Sequence, residues 1–189
     1  MRVLGIDPGL SRCGYGCLDA TSAGGRGAKA VALGVLRTPV DAPVPERLAE
    51  LQRELRALIA ELRPDAVSVE RVFFQTNVRT AIGVAQASGL ALAEAVNAGA
   101  EVAEYGPNQV KEAVAGWGAA SKDEVGRMVQ TLLGLDAPLR PADAADAAAL
   151  ALCHLAHAPR LARLAAAGRG GLRVEPASER ADVDEVVPR

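Results

Sequence analysis

Val3, Leu4 and Ile6 make residues 2–7 a short apolar strand, and that strand ends on an acid, Asp7, before Pro8-Gly9 stops it. A carboxylate at the end of a buried strand is costly unless something pairs with it. Asp7 is therefore either hydrogen-bonded by the turn that follows it or present to hold a cation. The second case requires other carboxylates that converge on it.

The 189 residues suffice for one domain with a tail, and half of them are apolar, so a substantial core can form. No run of about 18 apolar residues suggests a membrane span. The N-terminus does not read as a secretory signal. Together with three cysteines (Cys13, Cys17 and Cys153), this gives the expectation of a reduced, cytoplasmic protein. Cys13 and Cys17 have no second pair to complete a zinc site, and all three read as small packing residues. The net charge of −2 does not advertise a nucleic-acid binder, but an acidic site elsewhere can mask a local basic face.

Further along, residues 13–18 and 30–38 read as two more strands around a Gly- and Ser-rich hairpin tip. The period then changes. Leu48, Leu51, Leu55, Leu58, Ile59 and Leu62 recur at helical spacing, and Pro64 ends that helix. Residues 66–70 form a short strand, again closed by an acid, Glu70. In sheets of parallel strands, ligands collect at those ends. A helix is predicted over 78–98, with Ala85, Gly89 and Ala93 as a small-residue row. A strand follows over 101–105. Pro107 opens a helix that stops near Gly116, and the capping box Ser121-x-x-Glu124 opens another that stops at Gly134. Pro141 opens the last helix, over 142–157. This order predicts an α/β fold with a mixed five-stranded sheet flanked by helices. The domain is assigned to residues 1–158, and 159–189 to a loosely ordered tail.

The last helix carries Asp143 and Asp146, whose spacing puts both carboxylates on one face near its start. With Asp7 and Glu70 they make four acids. Three of them have an ordinary explanation: Asp before Pro-Gly forms turns, and acids near a helix start are favoured by about 0.3–1 kcal/mol each. Four convergent carboxylates would resist folding uncompensated, and hard divalent cations relieve that repulsion. Mg²⁺ takes oxygen ligands and keeps waters that a phosphate can displace. Two such ions about 3.5–4 Å apart can stabilise the attacking and leaving oxygens of a phosphodiester.

Four stretches, in order, carry a resemblance: Leu4-Gly5-Ile6-Asp7-Pro8-Gly9 with Gly14-Tyr15-Gly16, Val69-Glu70-Arg71-Val72-Phe73, Gln109-Val110-Lys111, and Ala142-Asp143-Ala144-Ala145-Asp146-Ala147. Residues 1–157 resemble the RuvC-type Holliday junction resolvases. The resemblance implies a ribonuclease H-like fold and a homodimer. It implies an endonuclease dependent on Mg²⁺ or Mn²⁺, with two ions per active site, that nicks opposing strands of a four-way junction and leaves 5′-phosphate and 3′-hydroxyl ends. It places the catalytic and metal-binding acids on Asp7, Glu70, Asp143 and Asp146, and phosphate contacts on Lys111 and Lys122. Arg79 is a further DNA-facing candidate, and a branch-migration motor complex a further partner.

Phe73 and Phe74, shortly after Glu70, either stack on unpaired bases at the crossover or pack in the core. The row Ala85, Gly89 and Ala93 either lets its helix approach a second copy or packs on its own sheet. His154 and His157 are placed on the helix surface, and Trp117 over a loop. Two alternatives compete with the nuclease. A phosphotransferase like the actin and sugar kinases shares the Gly-Ile-Asp strand but needs a second copy of the motif, absent here. An inactive DNA-binding module of the same fold would not need all four acids.

Overall fold

The structure, a computed structural model, describes residues 1–20, 27–72 and 78–168, with side chains over 1–20, 27–72 and 81–158. The chain divides into two units, Met1–Pro159 and Arg160–Arg189, and packing is described for the first. Its strands are β1 (Arg2–Asp7), β2 (Arg12–Asp19), β3 (Lys29–Arg37), β4 (Ala66–Glu70) and β5 (Glu101–Tyr105). They form one sheet in the order β3-β2-β1-β4-β5. The hairpin strands β1, β2 and β3 pair antiparallel, whereas β4 is parallel to both β1 and β5, so the sheet is mixed as expected.

Side chains alternate across the sheet, and the alternation sorts the core into two clusters. Leu4, Ile6, Val67 and Val69 face one side, where they meet α1 (Val44–Leu62) and α2 (Val78–Asn97). Helix α1 buries Leu51, Leu55 and Ile59 at a spacing of four, each worth about 1.5–3 kcal/mol in apolar burial. Glu94 of α2, buried, accepts hydrogen bonds from Gln52 (2.7 Å) and Arg56 (2.8 and 2.9 Å) of α1, which locks the two helices together.

The other face carries Val3, Gly5 and Asp7 of β1, Ser68 and Glu70 of β4, and Tyr105 of β5. On it lie α3 (Pro107–Ala115), α4 (Lys122–Leu133) and α5 (Ala142–Gly168), which share the second cluster. Helix α5 seats on glycine. A Cβ at Gly5 would stand 1.9 Å from the Ala147 carbonyl oxygen, one at Gly14 2.1 Å from that of Asp143, and one at Gly16 2.7 Å from the Ala148 nitrogen. Only residues without side chains admit the helix this close.

Two expectations need correction. Helix α5 does not end at 157 but runs to Gly168. Pro159 forfeits a backbone hydrogen bond, yet Leu, Ala and Arg over 160–167 are strong helix formers and carry the helix on. His154 is not on the surface. It is fully buried, its Nδ1 lies 3.0 Å from the Tyr105 hydroxyl, and its Nε2 has no partner among the described residues. Helix α5 is apolar nearly all round and is covered on most sides, so periodicity did not mark a wet face. Burial pushes the His154 pKa down. On α2 the small residues that pack inward are Ala87, Ala91 and Ala95, each fully buried. Gly89 and Ala93 are exposed and Ala85 half-buried, and a Cβ on Gly89 would meet nothing within 4 Å. Trp117 is also exposed, at 53%. The three cysteines are buried, as packing residues should be. Among the described residues no helix is long and apolar enough to cross a membrane.

Candidate active site

Asp7 and Glu70 each stand one residue beyond the paired residues Ile6 and Val69, at the ends of neighbouring parallel strands. Strand parity points both toward α5. The glycine seat sets the start of that helix against the same sheet end, which is why Asp143 and Asp146 arrive there. A cavity of about 350 Å³ brings together Asp7, Glu70 and Asp146 with Lys111 of α3 and Lys122 of α4. A larger cleft of about 840 Å³ continues past Lys122 and Asp146 along α4 toward Arg140. Asp143 does not line the smaller cavity. It is turned to Arg12 at the start of β2, whose Nη2 and Nε donate to Asp143 Oδ2 at 2.5 and 3.1 Å.

Lys122 is held by local chemistry that was legible in the sequence. Ser121 caps α4: its Oγ accepts from the Glu124 backbone N–H (3.3 Å), and Glu124 Oε2 accepts from the Ser121 N–H (2.7 Å). Such a cap is worth about 1 kcal/mol. A lysine in the first turn of a helix opposes the helix dipole, so its place is explained by its partner. Lys122 Nζ lies 2.5 Å from Asp146 Oδ2, and this bond is the main reason its pKa is raised.

The electrostatics show real convergence. Asp7 is pushed up to about 7, first by burial, then by the charges of Asp146 and Glu70. Glu70 is raised by burial and then by Asp146, with Lys122 opposing. An all-oxygen set under mutual repulsion suits a hard divalent cation. Among the described residues, however, no three His, Cys, Asp or Glu side chains are gathered as a finished cage.

Of the other expected residues, Phe73 and Phe74 lie outside the described residues, as does the side chain of Arg79. Arg12 was missed. The one available signal was its parity with Gly14 and Gly16, which marks the strand face that receives α5.

The family described as crossover junction endodeoxyribonuclease RuvC matches residues 3–154. The chain belongs to this family. A RuvC of Salinispora arenicola is 53% identical over 144 residues, covering 76% of this chain and 81% of that one. Among solved structures, Thermus thermophilus RuvC is 39% identical, with a TM-score of 0.78 over 85% of this chain and 96% of that one. The same protein in complex with a Holliday junction substrate superposes with a TM-score of 0.79 over the same shares and at the same 39% identity. A yeast mitochondrial Holliday junction resolvase, 16% identical with a TM-score of 0.60 over 89% of this chain and 85% of that one, shares the fold. The fold is thus ribonuclease H-like, as expected, and the chain is an endonuclease by family.

Proposed function

We propose that this chain resolves four-way DNA junctions by hydrolysing a phosphodiester on each of two opposing strands, at a site formed by Asp7, Glu70, Asp143 and Asp146. The observation that carries the reading is the convergence of Asp7, Glu70 and Asp146 on one cavity, where burial and then the charges of Asp146 and Glu70 push Asp7 to about 7. The donor set fits Mg²⁺ or Mn²⁺, two per site. When bound, such ions would supply charge stabilisation for the attacking and leaving oxygens. Asp7 and Glu70, on rigid strand ends, would fix where the phosphate sits. Lys111 and Lys122, on the wall of the same cavity, would bind its non-bridging oxygens. The adjoining cleft leaves room for a strand to continue past the acids. Phe73 and Phe74 follow Glu70 by three and four residues in sequence, which suits stacking on unpaired bases at the crossover, worth about 1–3 kcal/mol per base. Arg79 follows in the same segment as a further phosphate contact.

A four-way junction is close to two-fold symmetric, and one chain carries one set of acids. Paired cuts therefore call for a homodimer with an isologous interface. The exposed stripe on α2 supports one. Ile82 (52% exposed), Ala85, Gly89, Ala93 and Val96 (64% exposed) fall within an arc of about 80° at roughly 100° per residue. A largely uncovered apolar stripe of this kind suits an interface. A branch-migration motor complex is a further proposed partner, and the cytoplasm the proposed location.

The test is a labelled four-way junction incubated with Mg²⁺ or EDTA and resolved on a denaturing gel. Parent protein should give symmetric nicks with Mg²⁺ only. Asp7→Asn, Glu70→Gln, Asp143→Asn and Asp146→Asn should each nearly abolish cutting while retaining junction binding in EDTA. Cleavage at the parental rate by Asp143→Asn and Asp146→Asn would refute the ligand set.

A further inference from the structure

Two of the four acids are already taken by cations of the chain itself. Lys122, on Asp146, belongs to the cavity wall. Arg12, on Asp143, does not, and nothing in the proposed chemistry assigns it a task. Its position is nevertheless built. The neighbouring Ser11 is tied down twice, its hydroxyl accepting from Arg47 Nη2 at 2.6 Å and its carbonyl from the Thr38 N–H at 3.4 Å. Arg47 is itself buried and also donates to the Thr38 hydroxyl at 3.0 Å. Strand parity puts Arg12 on the face of Gly14, where the backbone of Asp143 closes to within Cβ contact. The fold therefore delivers the guanidinium to this carboxylate.

The consequence is competition. One oxygen of Asp143 accepts two charge-assisted hydrogen bonds, and those electron pairs are not free for a metal ion.

We propose that Arg12 is a positioning residue that holds Asp143 in the metal-free enzyme and yields it when a divalent cation binds, so that Arg12 sets how tightly that cation is held. The proposal rests on the reading of Asp143 as a ligand.

The test uses the full chain without DNA and Mn²⁺ alone as the probe. Affinity is read from the paramagnetic resonance signal of free Mn²⁺ and from calorimetry. Arg12→Gln should tighten Mn²⁺ binding about two- to fivefold, the range a partly exposed ion pair can exert. Arg12→Lys, which keeps the charge but loses the fork, should fall between parent and Arg12→Gln, and it gives the same sign if the glutamine variant fails to fold. On an Asp143→Asn background the Arg12→Gln effect should vanish. If Asp143→Asn weakens Mn²⁺ binding while Arg12→Gln leaves it equal or weaker, the role of Arg12 is overturned and the ligand reading stands. If Asp143→Asn leaves Mn²⁺ binding unchanged, the ligand reading itself fails and takes the proposal with it.

Discussion

Asp7→Asn should destroy cleavage and yet make the metal-free protein more stable at alkaline pH. The folded chain holds Asp7 at about 7, against an ordinary value of 3.8. Between those values the native state binds a proton that the unfolded state has lost, so stability falls as pH rises through the window. The whole gap corresponds to roughly 4 kcal/mol, at about 1.36 kcal/mol for each tenfold change in proton affinity. Titrating both states gives a penalty that grows by about 2 kcal/mol between pH 5.5 and pH 8. A neutral asparagine of the same shape escapes it. Urea unfolding in EDTA at the two pH values should show Asp7→Asn more stable than parent at pH 8, with an advantage about 2 kcal/mol smaller at pH 5.5. Saturating Mg²⁺ or Mn²⁺ should reverse the ranking at pH 8, since the parent gains more from the cation. An advantage independent of pH, or none at pH 8, would refute the convergence of Asp7 with Asp146 and Glu70.

Two further outcomes follow from the packing. Gly14→Ala would place a methyl 2.1 Å from the Asp143 carbonyl oxygen, and since backbone must then move, a loss of about 1–3 kcal/mol is expected. Calorimetry should show the lower melting temperature and the junction assay a loss of cutting that exceeds the loss of binding; a parental cutting rate would show that the seat does not position the acids. Gly89→Leu should split the proposed dimer, with sedimentation giving monomer mass and a cruciform plasmid giving nicked instead of linear product; an unchanged dimer that still linearises the plasmid would move the interface elsewhere.

What the sequence disclosed was local. Asp7 and Glu70 were legible because each closes a short apolar run with a clear stop. Ser121 and Glu124 announced the start of α4 because a capping box lies within four residues. The features that were hidden are long-range or degenerate. The Arg12–Asp143 pair joins residues 131 apart, and no local pattern marks such a partner. On α2 two rows of small residues, Ala85/Gly89/Ala93 and Ala87/Ala91/Ala95, run at the same spacing on nearly opposite faces. Either could have been the buried one, and only the position of α1 and the sheet decides. His154 was misplaced because Ala-rich α5 offers little contrast between its faces.

The glycine seat also explains why the site needs compensation before any metal arrives. Gly5, Gly14 and Gly16 let α5 approach the sheet backbone to backbone, and that approach forces the first turns of the helix against the ends of β1 and β4. The acids cannot relax apart without lifting the helix off its seat. Repulsion must then be relieved in place, and the structure shows three devices: Arg12 on Asp143, Lys122 on Asp146, and a proton that Asp7 retains up to about pH 7. Each offsets one acid, and Glu70 is relieved only by the neighbouring charge of Lys122. Each is also reversible, because arginine and lysine sit on partly exposed side chains and the proton exchanges with solvent. A cation binding at the four acids would therefore displace two ion pairs and release a proton. Its affinity should rise with pH through 7, in the same window where the metal-free chain loses stability.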